Sequence, residues 1–460
     1  MTSPTSPPVL PVLPAADVDA IVDTLSGAGA RLLVGSVIDM AGVARAKSVP
    51  IERAATFHRA GMGASPTWNV FCIDNAVAVT DRVTVVGDMR LRADLEAARP
   101  LDAGYVWAPT EMFDQQGDPW PGCARGRLRR VQAQAEERGL DVLVGNELEF
   151  VITGLVGTPL PREHWQAYGL GAMFAHEAFI ADLEIALNAA RLPIEQLHAE
   201  YADYQFEVSL APTTPVQAAD QVHLARLVIG RVARRHGLLV SFSPLPVAGG
   251  AGNGAHLHLS LSRAGVPLLS GADGAHGMTA EGAAALAGIV AGLPESVGVF
   301  AGSVLSEYRL LPGHWSGAFA CWGLENRESA VRFCAATPGN PKGANIELKC
   351  VDPSGNPYLT AATMLGLALH GIDEHLPLPD ETTSDPVRLS ADVAAAAGVV
   401  RLADTQAAAV DLLRGSALTE GILGPDILSA LLAVRTHEID TYGRHSAEEL
   451  TERFRFAWSS

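Results

Sequence analysis

Basic residues are scarce in this chain: 33 lysines and arginines stand against 51 aspartates and glutamates, for a net charge of −18. That deficit argues against nucleic acid and anionic membranes as partners and favours small cations or metals. Cysteine is scarce too. The five present (Cys72, Cys123, Cys321, Cys334 and Cys350) are odd in number and lack CxxC spacing, which fits reduced thiols in a cytoplasmic protein. No uninterrupted apolar run reaches about 18 residues, so no membrane span is expected. The first residues, MTSPTSPPVLPVLP, are rich in proline and serine and lack the basic and apolar regions of a signal peptide. Residues 1–16 therefore read as a disordered leader. There is no internal repeat and no GxxxxGK[ST] loop, so any nucleotide must be held by other means.

What is present suits a large globular enzyme. With 460 residues and 48% hydrophobic composition, the chain can fill a sizeable core and form two domains. Short strand-like segments such as RLLVGSVID and AVAVTDRVTVVGDMRL suggest a small sheet domain over residues 17–110. The turn-rich segment GYVWAPTEMFDQQGDPWPG breaks that pattern, and residues 111–460 read as a second, catalytic domain. There, strands are expected at 141–152, 197–210, 238–244, 254–262 and 345–350. A helix over Arg125–Arg138 ends at Gly139; another over Pro215–His236 starts behind Thr214 and ends at Gly237. Strands alternating with helices imply an α/β or α+β architecture.

Charged groups recur at a spacing of two. GNELEF carries Glu147 and Glu149, HAEYADYQFEVSL carries Glu200 and Glu207, GNGAHLHLSL carries His256 and His258, and NIELK carries Glu347 and Lys349. On a strand, residues i and i+2 share a face, so each adjacent pair would point one way. Buried like charges are costly unless a cation lies between them. Each pair alone reads equally well as solvated groups, but a shared cation site accounts for all of them together. Five carboxylates and an imidazole suit Mg²⁺ or Mn²⁺ better than zinc, which points to phosphate chemistry. Arg309, Arg327, Arg332 and Lys342 supply positive groups for such a site. A metal-dependent amidohydrolase with a His-x-His strand, or a non-catalytic scaffold, stands as the alternative.

The segments NELEF, EYADYQFE, GNGAHLH, RLLPG, ENRESAVR and NIELK…DPSGNPYL, spread from about Val34 to the C-terminus, resemble those of the glutamine synthetase superfamily. The resemblance implies an α+β fold, with an N-terminal β-grasp domain and a catalytic domain around a curved, barrel-like antiparallel sheet. It also implies a homo-oligomer, commonly a dodecamer of two hexameric rings with sites shared between subunits. The implied reaction uses ATP to convert the γ-carboxylate of glutamate to γ-glutamyl phosphate, which an amine then attacks. By resemblance, Glu149, Glu200 and Glu207 hold one divalent ion, and Glu147, His256 and Glu347 a second. His258, Ser260 and Lys342 would contact ATP, Arg327 and Arg332 the transferring phosphate, and Arg309, Gly252 and Lys349 the glutamate.

The chain departs from that pattern where the amine binds. Glutamine synthetases follow RLVPG with a tyrosine and a proton-accepting glutamate, whereas RLLPGHWSG has His314 and Trp315. The aspartate that binds ammonium aligns with Asn75, or with Asp74 one position earlier. Trading an anion for an indole removes the group that would deprotonate ammonium and provides an aromatic wall for a larger amine. Lys349 stands where an arginine is usual and keeps the charge without the fork. The segment PLPDETTSDP lacks the tyrosine that is adenylylated in many bacterial enzymes. RAKSVP, GASPTWNVFCID, PGHWSGAFACWGLENRESAVRF and RFRFAW are similar to the actinobacterial γ-glutamylpolyamine synthetases, which implies putrescine, cadaverine, spermidine or spermine as the amine. Ethanolamine or ammonium is the alternative.

Overall fold

The computed structural model describes residues 9–155, 158, 160 and 165–459. Residues 1–8 of the expected leader lie outside these; Leu10 is buried, and a helix already runs over Ala15–Gly27.

A six-stranded sheet comes first, made of β1 (Leu32–Ile38), β2 (Ala44–Pro50), β3 (Met62–Ala64), β4 (Met89–Ala93), β5 (Arg99–Pro100) and β6 (Tyr105–Phe113). Its order is β2-β1-β6-β4-β3, with β5 also on β6; β1 and β6 run parallel and the remaining pairs antiparallel. Of the expected stretch 76–91, only the end from Met89 is a strand. Val77, Val79, Val85 and Val86 lie exposed on the loop before it. The repeated valines favour β structure, but among the described residues the only strand-like pairing in this stretch is an isolated bridge between Phe71 and Val77. Strand β6 continues to Phe113, across the expected division at 110/111.

The second sheet contains β7 (Leu140–Gly154), β8 (Ile194–Ala199), β9 (Gln205–Thr213), β10 (Leu238–Ser241), β11 (Leu257–Arg263), β12 (Val266–Pro267), β13 (Phe319–Leu324), β14 (Ser329–Cys334), β15 (Asn345–Leu348) and β16 (Val400–Arg401). The order is β16-β13-β14-β15-β11-β7-β9-β8, with β10 on β7 and β12 on β11. This barrel-like sheet is antiparallel except for β13 and β14, which pair in parallel. The expected strand 197–210 is instead a hairpin. Residues 200–204 turn, and Tyr204 adopts φ 60°, a left-handed conformation that ends strand geometry.

Helices cover the sheet and close a continuous core. The two expected helices run over Ala124–Glu137 and Pro215–Arg235, and Gly139 and Gly237 follow them at positive φ. Thr214 occupies the N-cap position without a side-chain cap bond. The helix Ala280–Phe300 is long and apolar enough to cross a membrane, but 78% of its apolar window is buried inside this protein. It packs backbone to backbone on the helix Pro357–Asp373: a Cβ on Gly288 would lie 2.3 Å from the Leu367 carbonyl oxygen.

The two sheets are locked together by buried polar groups. Arg125 donates to Asp94, Glu111 and Asp220, and Tyr358 donates to Asp220 at 2.8 Å. Asn356 donates to the carbonyls of Ile38 and Asp39, and Trp458 to that of Ala41. With every charge partnered, this junction holds the first sheet rigidly against the catalytic framework.

Candidate active site

Strand register assembles the charged groups. Glu149 of β7 lies opposite Glu207 of β9, which lies opposite His198 of β8, so three ionisable side chains form one row. A second row runs through Arg332 of β14, Glu347 of β15 and His258 of β11. Between the rows, the Glu147 and Glu149 amides donate to the carbonyls of His256 and Gly254, both at 3.1 Å. This extends the β7–β11 pairing and sets His256 beside Glu147. Gly254 is required there, since a Cβ would come 2.5 Å from His256 Nε2 and 2.9 Å from Glu149 Oε1.

The rows face a cavity of about 880 Å³. All six residues expected to ligate metal line it, as do Arg309, Arg327, Arg332, Gly252, Lys349, His314 and Trp315. His256 Nδ1 lies 3.0 Å from Glu147 and 3.6 Å from Glu347. His198 Nε2 lies 3.1 Å from Glu200 and 3.8 Å from Glu207. One Glu149 oxygen is already occupied by the Gly254 amide at 2.8 Å and by Gln205 Nε2 at 3.1 Å.

The electrostatics leave room for a cation. Burial, then the negative charges of Glu147, Glu149 and Glu200, push the Glu207 carboxyl up to about 10. Glu347 is buried as well, yet Lys349, His258 and His256 hold it down at about 2. Burial would also raise Glu147, but hydrogen bonds from His256 and His258 keep it well below the usual carboxylate range. A hydrogen bond to Glu200 raises His198, against its burial. Three sets of donor atoms each lie within 4.8 Å of one another: Glu147, Glu207 and His256; Glu147, His258 and Glu347; and His198, Glu200 and Glu207. Mostly carboxylate donors, one of them unable to ionise without compensation, fit hard divalent cations.

Positive groups stand beside the carboxylates. Arg309 is buried, with Nη2 3.2 Å from the Lys349 carbonyl and 3.3 Å from His256 Nε2. Its Nη1 has no hydrogen-bond partner among the described residues. Arg332 bonds Glu347 at 3.0 Å and also Glu325. Gly252 gives its carbonyl to Gln205 at 2.9 Å, and a Cβ at that position would strike the Pro244 carbonyl oxygen at 2.5 Å.

Four expected site residues do not line the cavity. His258 lies behind Glu147, with Nε2 3.3 Å from Oε1, while its Nδ1 lies 2.9 Å from Asn345. Ser260, two residues further along β11, donates to the Ala344 carbonyl. Lys342 sits in an exposed loop. Asn75 accepts from Arg45, and the neighbouring Asp74 is taken by His437 and Tyr442 of its own chain. The lining also contains residues that the sequence reading passed over: His198, Gln205, Tyr168 and Tyr201. His198 and Gln205 each stand two positions before an expected ligand, the same spacing that marked the others.

Residues 121–454 match the family model described as glutamine synthetase, catalytic domain, and the chain belongs to the glutamine synthetase family. It is an ATP-dependent ligase of the kind that joins glutamate to an amine with the help of divalent metal ions. The hydrolase and scaffold alternatives fall away. Among curated relatives, the chain is 40% identical over 427 residues to a γ-glutamylpolyamine synthetase of Streptomyces coelicolor, covering 91% of this chain and 92% of that one. It is 28% identical over 364 residues to a glutamine synthetase of Clostridium saccharobutylicum, covering 77% and 82%. Of solved structures, a glutamine synthase homologue superposes with a TM-score of 0.83 at 29% identity, covering 93% of this chain and 98% of the other.

Proposed function

We propose that the enzyme joins the γ-carboxylate of L-glutamate to an amino group of a polyamine such as putrescine, cadaverine, spermidine or spermine, through γ-glutamyl phosphate. One observation carries the choice of amine: the loop facing the carboxylates presents His314 and Trp315, with no anionic side chain between Gly313 and Ser316. Ammonium needs an anion there to bind and deprotonate it, whereas an alkyl amine gains from an aromatic wall. The identity to a γ-glutamylpolyamine synthetase supports the same choice.

In this reading Glu149, Glu200 and Glu207 hold one Mg²⁺ or Mn²⁺ and Glu147, His256 and Glu347 a second, and His198 is placed to join the first set. The ions supply charge neutralisation between ATP and the glutamate carboxylate. Arg327 and Arg332 shield the transferring phosphoryl group. Arg309, with its free Nη1, and Lys349 take the carboxylates of glutamate, while Gly252 lets the substrate approach the backbone. His258, Ser260 and Lys342 lie toward the nucleotide. Catalysis is then positioning and electrostatics without a covalent enzyme intermediate. Asn75 and Asp74, away from their own chain's cavity, would act on a neighbour's site in a dodecamer of two hexameric rings.

The test is incubation with ATP, Mg²⁺ and glutamate, offering ammonium, ethanolamine, putrescine and spermine in turn, with phosphate release and product mass recorded. γ-Glutamyl conjugates of the polyamines and little glutamine are expected. Glutamine formation at a comparable rate would refute the reading.

A further inference from the structure

Two aromatic side chains at the cavity mouth are left unused by this scheme in their mutual arrangement. Tyr201 and Trp315 are 58% and 50% exposed, both line the cavity, and their rings meet edge to face with centroids 6.0 Å apart. Neither exposure nor conformation is what packing alone would select. Trp315 adopts φ 52°, a left-handed conformation that is costly for a bulky residue and persists only where its surroundings enforce it. The enforcing group is Glu328, a buried carboxylate that accepts the Trp315 amide at 2.9 Å and the Gly313 amide at 3.3 Å. Tyr201 is held from the other side: its amide donates to Glu200 Oε2 at 2.8 Å, so the ring stands one residue beyond a carboxylate of the charged cluster.

We infer that Tyr201 and Trp315 form the seat for a second ammonium group of the acceptor, remote from the amine that reacts, and that Glu328 is the positioning residue that presents Trp315 to it. The assignment rests on the polyamine reading and adds what distinguishes a diamine from a monoamine. Aromatic faces attract cations, and this pair sits at the rim of a cavity lined by Glu147, Glu149, Glu200, Glu207 and Glu347. A neutral alkyl tail would gain only the apolar contact; a tail ending in an ammonium gains the contact and the attraction. Glu328 does not replace the missing proton acceptor, because both its oxygens are engaged by backbone amides behind the loop.

The experiment compares putrescine with n-butylamine, which has the same four carbons and one amine fewer, as acceptors for wild type, Tyr201→Leu, Trp315→Leu, Tyr201→Phe and Glu328→Gln. For wild type, kcat/KM should favour putrescine by about three- to tenfold, the range that cation–π contacts provide. Both leucine variants should lower that ratio through the KM for putrescine, with the KM values for ATP and glutamate held. Tyr201→Phe should retain it. Glu328→Gln should lower it while leaving the lone contribution of Tyr201. Leucine variants that form conjugates at an unchanged putrescine-to-butylamine ratio would overturn this assignment alone. A wild type that turns over ammonium but conjugates no polyamine would overturn the assignment together with the reading beneath it.

Discussion

Glu207→Gln gives the sharpest test of the charged cluster. In the metal-free fold the Glu207 carboxyl keeps its proton up to about pH 10, whereas in the unfolded chain it ionises near its ordinary 4.5. A carboxyl raised in this way contributes stability that is complete below 4.5 and is lost as pH rises toward 10. Between pH 6 and 8 the unfolded state therefore binds about one proton fewer at this group, a slope of about 1.4 kcal/mol per pH unit and about 2.7 kcal/mol over the interval. For a chain of 460 residues, whose unfolding entropy is about 1 kcal/mol/K, that is a fall in Tm of about 3 °C. The assay is thermal unfolding in EDTA at pH 6, 7 and 8 for wild type and Glu207→Gln, whose difference removes the contribution of His198 and other groups that titrate in both. Wild type should fall more steeply than the variant, and Mg²⁺ should abolish the difference, because a bound cation lets Glu207 ionise. In weakly buffered solution near pH 7.5, Mg²⁺ should release about one proton from wild type and fewer from the variant. Parallel slopes in EDTA would show that Glu207 is not the frustrated member of the cluster and would remove the electrostatic case for a cation there.

Other substitutions separate chemistry from folding. Arg327→Ala should lower kcat by roughly 10²–10³ with Tm unchanged, as removal of a charge-stabilising donor does; full activity would count against its phosphate role. Gly254→Ala places a methyl group 2.5 Å from His256 Nε2 and 2.9 Å from Glu149 Oε1. It should raise the Mg²⁺ concentration needed for half-maximal rate at least tenfold, read by metal titration of activity. Arg125→Met leaves the buried Asp220 without its cation, and Asp94 and Glu111 with Arg129 alone. A loss of about 3–5 kcal/mol in denaturant unfolding is expected, with the amine preference intact in whatever folds, since Arg125 does not line the cavity.

The period-two spacing of Glu147 and Glu149 was enough, with no structure, to place both on one face of a strand, because side-chain direction in a strand depends only on local backbone geometry. The same held for helix ends marked by Gly139 and Gly237, where the positive φ that glycine permits is also a local property. Motif order along the chain likewise carried the family and the nature of its donors. Register was different. Nothing in NELEF or HAEYADYQFE states that Glu149 stands opposite Glu207, and Glu207 opposite His198, since pairing is settled by the packing of whole strands. The turn at 200–204 was hidden for a different reason: Tyr201 and Tyr204 favour strands, yet local bonds close a tight hairpin there, with the Gln205 amide donating to the Ala202 carbonyl at 3.1 Å and the Glu200 amide to the Gln205 carbonyl at 2.8 Å, and Tyr204 sits at φ 60° within it. The sequence by itself determined which family the chain belongs to and marked the groups proposed to do its chemistry. Only the tertiary structure decided that Asn75 bonds Arg45 and stays out of the lining of its own chain's cavity, that Tyr201 meets Trp315 and that Glu328 holds the loop carrying Trp315, because those relations join residues separated in the chain and no local preference encodes them.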